Sequence, residues 1–155
     1  MRGKRAKKKN VLKDHKYESE LVTRFISKVM LHGQKKKAEG IFYTVLETAS
    51  KEVGLEAMDF LNQVVDNLRP SLEVKARRVG GANYHIPLPV TPHRQETLAI
   101  RWLIDSARKK SGSSFTDILK KEMLETYNGS GDAMKKKEET ERMAEANKAF
   151  AHFRW

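Results

Sequence analysis

The chain has 155 residues, about one domain in length, with 31 Lys and Arg against 20 Asp and Glu, a net charge of +11 and a pI near 9.8. A hydrophobic content of 39% supports one compact core, and the absence of cysteine excludes disulfides, thiol nucleophiles and Cys-ligated zinc. The longest run free of Asp, Glu, Lys and Arg, residues 79–93, holds three prolines and is unfit to cross a bilayer, and the polybasic start lacks the apolar segment of a secretory signal. A soluble intracellular protein with a polyanionic partner is the expectation.

The positive excess is clustered. Residues 1–16 carry eight Lys or Arg and one Asp, and residues 75–110 carry eight and two. Residues 17–74 are slightly acidic and residues 111–155 are balanced. A phosphate-binding surface requires such blocks and solubility does not. A solvated surface with a basic tail is the plainer reading of the charge alone.

Residues 1–16 read as a flexible arm, because Arg2, Lys4, Arg5, Lys7, Lys8 and Lys9 stand among almost no apolar residues with which to dock. Ser19 is placed to cap a first helix, whose residues Leu21, Val22, Phe25, Ile26, Val29 and Met30 recur at three-to-four spacing, with Gly33 as a stop. A second helix from about Lys35 carries Ala38, Ile41, Phe42, Val45, Leu46, Ala49 and Val53 on one stripe and ends at Gly54. A third, from about Glu56 through Phe60, Leu61, Val64, Val65 and Leu68, must end before Pro70.

Between residues 72 and 90 the helical period breaks. Gly80 and Gly81 suit a two-residue hairpin turn that needs positive φ at both positions. That turn pairs Val79 with Ala82, Arg77 with Tyr84 and Lys75 with Ile86, and lets Pro87 and Pro89 turn their missing N–H positions outward. A lone two-stranded ribbon is marginal in water, so another element must brace it.

Thr91 and Pro92 form a helix start. At about 100° per residue, Arg94, Arg101 and Arg108 fall on one seam, while Leu98, Ala99, Ile100, Trp102, Leu103, Ile104 and Ala107 take most of the remaining circumference. Trp102 reads as core by the wrap of this helix. The spacing alone equally permits three surface arginines, one of them paired to Asp105. Ser114 is placed to cap a fifth helix from Phe115 to Tyr127. A last helix is expected from about Asp132 to the end, with Glu138 and Arg142 at i, i+4 and an apolar strip of Met143, Ala146, Ala149, Phe150 and Phe153.

The expected fold is therefore mainly α: a bundle of about six helices with a protruding two-stranded β-ribbon and a flexible basic N-terminal arm, residues 17–155 making a single domain. The scattered histidines (His15, His32, His85, His93, His152) make no zinc spacing, Gly80–Gly81 lacks the Gly-Lys-Ser/Thr of a phosphate loop, and no serine stands in a G-x-S-x-G elbow. Neither enzyme activity nor a metal or cofactor is expected. The basic arm lacks the apolar face of a membrane-binding helix, so no membrane partner is expected. No recognition helix for DNA stands out, and several separate basic elements suit a folded RNA.

Four long blocks carry a family likeness: YESELVTRFISKVMLHGQKKKAE, KARRVGGANYHIPLPV, LAIRWLIDSARKK and GSGDAMKKKEETERMAEANKAFAHFRW. In these the chain resembles bacterial-type small-subunit ribosomal protein seven, in order and over nearly its whole length, with residues 52–72 and 111–128 adding little. The resemblance implies a cytoplasmic ribosomal protein of the small subunit. It would bind the 3′ major domain of the small-subunit rRNA, nucleate head assembly, and lie at the tRNA exit site beside small-subunit protein eleven. Carried onto this chain, rRNA contacts fall to Arg2, Lys4, Arg5, Lys7, Lys8, Lys9, Lys35, Lys36, Lys37, Lys75, Arg77, Arg78, Arg94, Arg101, Arg108, Lys109 and Lys110. Gly80, Gly81, Ala82, Asn83, Tyr84, Lys136, Lys137 and Arg142 would lie nearer tRNA. The charge pattern by itself also suits a free-standing nucleoid or RNA-chaperone protein.

Overall fold

The computed structural model describes residues 11–153, in the order α1 (Glu20–Val29), α2 (Lys35–Val53), α3 (Ala57–Leu68), β1 (Leu72–Val79), β2 (Ala82–Pro89), α4 (Pro92–Lys109), α5 (Phe115–Tyr127) and α6 (Asp132–Ala146), then a 3₁₀ segment, Lys148–Phe153. No helix among the described residues is long and apolar enough to cross a membrane.

The helical stripes close on one core. Val22, Phe25 and Ile26 of α1 meet Phe42, Val45 and Leu46 of α2, and the rings of Phe25 and Phe42 stack with centroids 5.1 Å apart. Phe60, Leu61, Val64, Val65 and Leu68 of α3 are buried together, as their spacing predicts. Helix α4 is central and packs against α1, α3, α5 and α6, with Leu103, Ile104 and Ala107 fully buried and Trp102 half-buried against the core. A helix wrapped on several sides leaves only a narrow strip for charge, and that strip holds the arginine seam.

The ribbon has the predicted register, Val79 opposite Ala82, Arg77 opposite Tyr84 and Lys75 opposite Ile86. Gly80 (φ 56°) and Gly81 (φ 90°) supply the two left-handed positions of the turn. Pro87 and Pro89 face Val74 and Leu72, the alternate ladder positions from which an N–H would point away from the partner strand. The brace comes from three directions. Arg94 of α4 bonds Glu73 of β1, Gln95 donates to the Pro70 carbonyl at 2.9 Å, and Glu141 of α6 accepts from the Ser71 N–H and hydroxyl, each at 3.1 Å. The 3₁₀ segment adds Phe150, 5.2 Å from the Tyr84 ring.

Four expectations need correction. Helix α1 stops at Val29, before Gly33, where Arg108 takes up its last carbonyls. Ser19 holds the N-cap position of α1, but its side chain makes no cap bond; its carbonyl accepts from the Asp14 and Thr23 N–H groups. The last helix ends at Ala146, because the Asn147 side chain bonds the Met143 carbonyl at 2.7 Å and the chain tightens to 3₁₀. On α6 it is Ala133 and Ala144 that are buried, while Met143 is 44% exposed. The expected arm falls partly outside the described residues, which begin at Val11. Its last stretch is tied down, since the Lys16 ammonium meets the Glu47 carboxylate of α2 and Asp14 is buried.

Candidate nucleic-acid interface

Seven-residue spacing puts Arg94, Arg101 and Arg108 on one face of α4, and the three meet different fates. Arg94 directs Nε and Nη2 at Glu73 Oε2, both at 3.1 Å, and so ties the ribbon to the helix. Arg108 donates to the carbonyls of Lys28 (3.0 Å) and Val29 (3.2 Å), closing the open end of α1. Arg101, between them, is exposed and meets no hydrogen-bond or ion-pair partner among the described residues. Asp105 pairs with Lys28 at 3.8 Å rather than with an arginine.

The end of α4 is just as divided. Lys109 is exposed and without a partner among the described residues. Lys110 is a fastener: its ammonium lies 2.5 Å from Glu122, 3.3 Å from Glu125 and 3.4 Å from Asp132. The hydrogen bond to Glu122 and then the Glu122 charge hold the Lys110 pKa well above the ordinary 10.5. Glu122 is fully buried, and its other oxygen accepts the Ala133 N–H at 2.8 Å in the first turn of α6. Gly131 makes that approach possible. Its φ is +95°, and a Cβ there would stand 3.0 Å from Glu125 Cβ and 3.2 Å from Glu122 Oε1. Lys110 thus joins α4, α5 and α6, and its charge is met inside the protein.

The remaining expected contact residues are scattered over the surface. Lys35, Lys36 and Lys37 are exposed at the start of α2, Lys35 pairing with Glu39 at 3.4 Å. On the ribbon, Lys75 pairs with Glu73 at 3.5 Å, Arg78 is exposed opposite Asn83, and Arg77 is half-buried opposite Tyr84. Gly80, Gly81, Ala82 and Asn83 form an exposed tip, whereas Tyr84 is half-buried. On α6, Lys136 pairs with Glu139 at 2.6 Å, Lys137 donates to the Asn67 carbonyl at 2.7 Å, and Arg142 is exposed with no partner among the described residues. Arg2, Lys4, Arg5, Lys7, Lys8 and Lys9 lie outside the described residues.

Two clefts gather cations that distance in sequence keeps apart. One, of about 380 Å³ between α1 and α4, is lined by Arg24, Lys28 and Arg101, and Val11 lines it too. The other, of about 710 Å³ between α4 and α6, brings Arg101, Trp102, Lys109 and Arg142 together. Sequence reading missed Arg24 and Lys28, although their i, i+4 spacing on α1 marks one face.

It also missed Asp14, which lies in an irregular stretch with no periodicity to expose it. The Tyr43 hydroxyl donates to Asp14 Oδ1 at 2.6 Å, and the N–H groups of Lys16 (3.0 Å) and Tyr17 (3.1 Å) donate to Oδ2. Burial pushes this carboxyl up, but the bonds from Tyr43, Tyr17 and Lys16 outweigh burial and hold its pKa below the ordinary 3.8. Burial, with the Asp14 bond next, pushes the Tyr43 phenol up. Asp14, His15 and Glu39 bring ligand atoms within 4.8 Å of one another. Both Asp14 oxygens already accept hydrogen bonds, however, so the cluster reads as an anchor for residues 14–17 rather than a metal centre.

A central helix with unpaired arginine, a braced basic ribbon and cation-lined clefts define a basic scaffold built to face phosphate. The profile described as Ribosomal protein S7p/S5e matches residues 1–148, and the chain belongs to that family of structural ribosomal proteins, which are not enzymes. It is 49% identical over 148 residues to small ribosomal subunit protein uS7 of Desulfovibrio desulfuricans, with 96% of this chain and 95% of that one covered. It is 47% identical over 154 residues to the uS7 protein of Treponema denticola, with 99% of each covered. With the uS7 protein of Mesoplasma florum it shares 46% over 155 residues, all of both chains, residues 52–72 and 111–128 included.

Proposed function

We propose that this chain is the small-subunit ribosomal protein that binds the 3′ major domain of the rRNA, nucleates assembly of the head and stands at the tRNA exit site beside protein eleven. Family membership and near-full-length relatives named as small ribosomal subunit protein uS7 support its place in the small subunit of the cytoplasmic ribosome and its binding of rRNA. The observation that carries the reading is a group of exposed cations with no hydrogen bond or ion pair among the described residues, including Lys36, Lys37, Arg78, Arg101, Lys109 and Arg142, spread over α2, the ribbon, α4 and α6. Rigid elements that each offer a charge fix the relative angles of RNA helices, and every phosphate neutralised releases counterions.

In this reading Lys35, Lys36, Lys37, Lys75, Arg77, Arg78, Arg101 and Lys109 meet rRNA. Arg94, Arg108 and Lys110 act mainly by holding the ribbon and helix ends in place. The ribbon tip and Arg142 face the exit-site tRNA. The test is footprinting on the isolated 3′ major domain at moderate salt. Protected nucleotides, together with cofractionation of the protein with small subunits, are expected; no protection and no cofractionation would defeat the proposal. Deleting residues 1–10 removes six basic side chains. If each meets a phosphate, the log–log salt slope for the RNA flattens by about four to five units.

A further inference from the structure

We infer that the cleft between α4 and α6 is a single binding site for one unpaired nucleotide of an RNA strand, its base against Trp102 and its flanking phosphates on Arg101, Lys109 and Arg142. The inference rests on the RNA-binding reading above and joins two groups of residues that the family likeness assigns to different RNAs.

Four observations carry it. The cleft holds about 710 Å³, within the usual range for a small-molecule site (about 300–1,000 Å³) and ample for a nucleotide. Trp102 lines it and is only half-buried while packing against the core. A ring fixed on one side by the core is a rigid stacking platform, and stacking tolerates any base because every base has a π-face. The third observation is the charge balance. Of the carboxylates around the cleft, Asp105 is taken by Lys28, Asp132 by Lys110 and Lys135, and Glu139 by Lys136. Arg101, Lys109 and Arg142 make no hydrogen bond or ion pair among the described residues, which leaves three cations against Glu138. Lastly, Lys109 from α4 and Arg142 from α6 line the same cleft, so cations from separate helices converge there.

The shape selects the occupant. A duplex offers no free base face to a recessed ring, whereas a splayed loop or bulge nucleotide offers a face and two phosphates together. An acidic peptide would satisfy the cations and leave Trp102 unused.

The experiment uses the full chain with Trp155→Phe, so that Trp102 is the sole tryptophan. Its fluorescence is followed while a single-stranded hexanucleotide RNA, a blocked duplex of equal charge, or an oligoglutamate peptide is added. Saturable quenching by the single strand is expected, with binding at least ten-fold weaker for the duplex and the peptide. Trp102→Phe keeps a stacking face and should bind within about three-fold. Trp102→Leu should lose roughly ten-fold, with thermal melting confirming that it folds. Arg101→Gln, Lys109→Gln and Arg142→Gln together should weaken the strand more than ten-fold. Equal binding of the duplex, tighter binding of the peptide, or unchanged Trp102 emission at saturating strand each overturns the inference. Footprinting of the 3′ major domain keeps the two readings apart: protection with a silent Trp102 defeats the cleft alone, and loss of protection defeats the RNA-binding reading itself.

Discussion

The two ends of α4 and its middle carry the same residue type on the same face, yet they do different work. Arg94 and Arg108 reach protein acceptors on β1 and α1, Lys110 is surrounded by three carboxylates, and Arg101 and Lys109 meet none among the described residues. A positive residue in a basic block is therefore no measure of a charge left free for a partner. What separates the two kinds is whether another element brings an acceptor within hydrogen-bonding distance. The acceptors come from β1 for Arg94, from α1 for Arg108 and from α5 and α6 for Lys110, whereas Arg101 in the middle of α4 and Lys109 at its end look onto an open cleft.

The largest effect expected from breaking this contrast is at Lys110. Lys110→Met strands the fully buried Glu122 carboxylate without its cation, a loss of about 3–5 kcal/mol. The midpoint of thermal unfolding should fall by about 10 °C, and a change under about 2 °C would show that the fastener is dispensable. Next is Arg108→Ala, which frees the two carbonyls at the end of α1 and should cost about 1.5–3 kcal/mol, read by urea unfolding. Loss of RNA affinity at full stability would reverse the assignment.

The pH dependence sharpens the comparison at the other end of the chain. Asp14 has its folded pKa held below 3.8, so its contribution is fully present above the ordinary carboxylate range and is lost as pH falls through and below it. Between about pH 5 and pH 3, Asp14→Asn should flatten the decline in stability seen in the parent chain. Unaltered acid sensitivity would mean that the carboxylate does not anchor residues 14–17. The smallest stability effect is at Arg101: Arg101→Ala should leave the midpoint within about 1 °C, as for an exposed side chain without partners, while weakening RNA binding.

Much of the fold was legible because its signals are local. The α3 stripe needs only the 3.6-residue period, Gly54 ends α2 in the left-handed conformation, and paired glycines with same-parity prolines fix the ribbon register. Helix ends set by distant groups were not legible. Nothing near Val29 says that Arg108, about eighty residues on, closes α1, and nothing in the last block says that Asn147 breaks α6 so that Phe150 reaches Tyr84. The candidate site divides in the same way. Sequence places the cations on α4 and α6, but their pairing depends on Glu73, Glu122 and Asn67, which belong to other elements.

The most direct measurement is the salt dependence of binding to the isolated 3′ major domain RNA for two triple variants, Arg101→Gln with Lys109→Gln and Arg142→Gln, and Arg94→Gln with Arg108→Gln and Lys110→Gln. The first should keep its melting midpoint and flatten the log–log slope by about one and a half to two units, the share of Arg101 and Lys109, and the second should melt early with its slope nearly intact. The reverse outcome, with the slope unchanged in the first triple and flattened in the second, would contradict the division between cations that hold the protein together and cations that hold RNA.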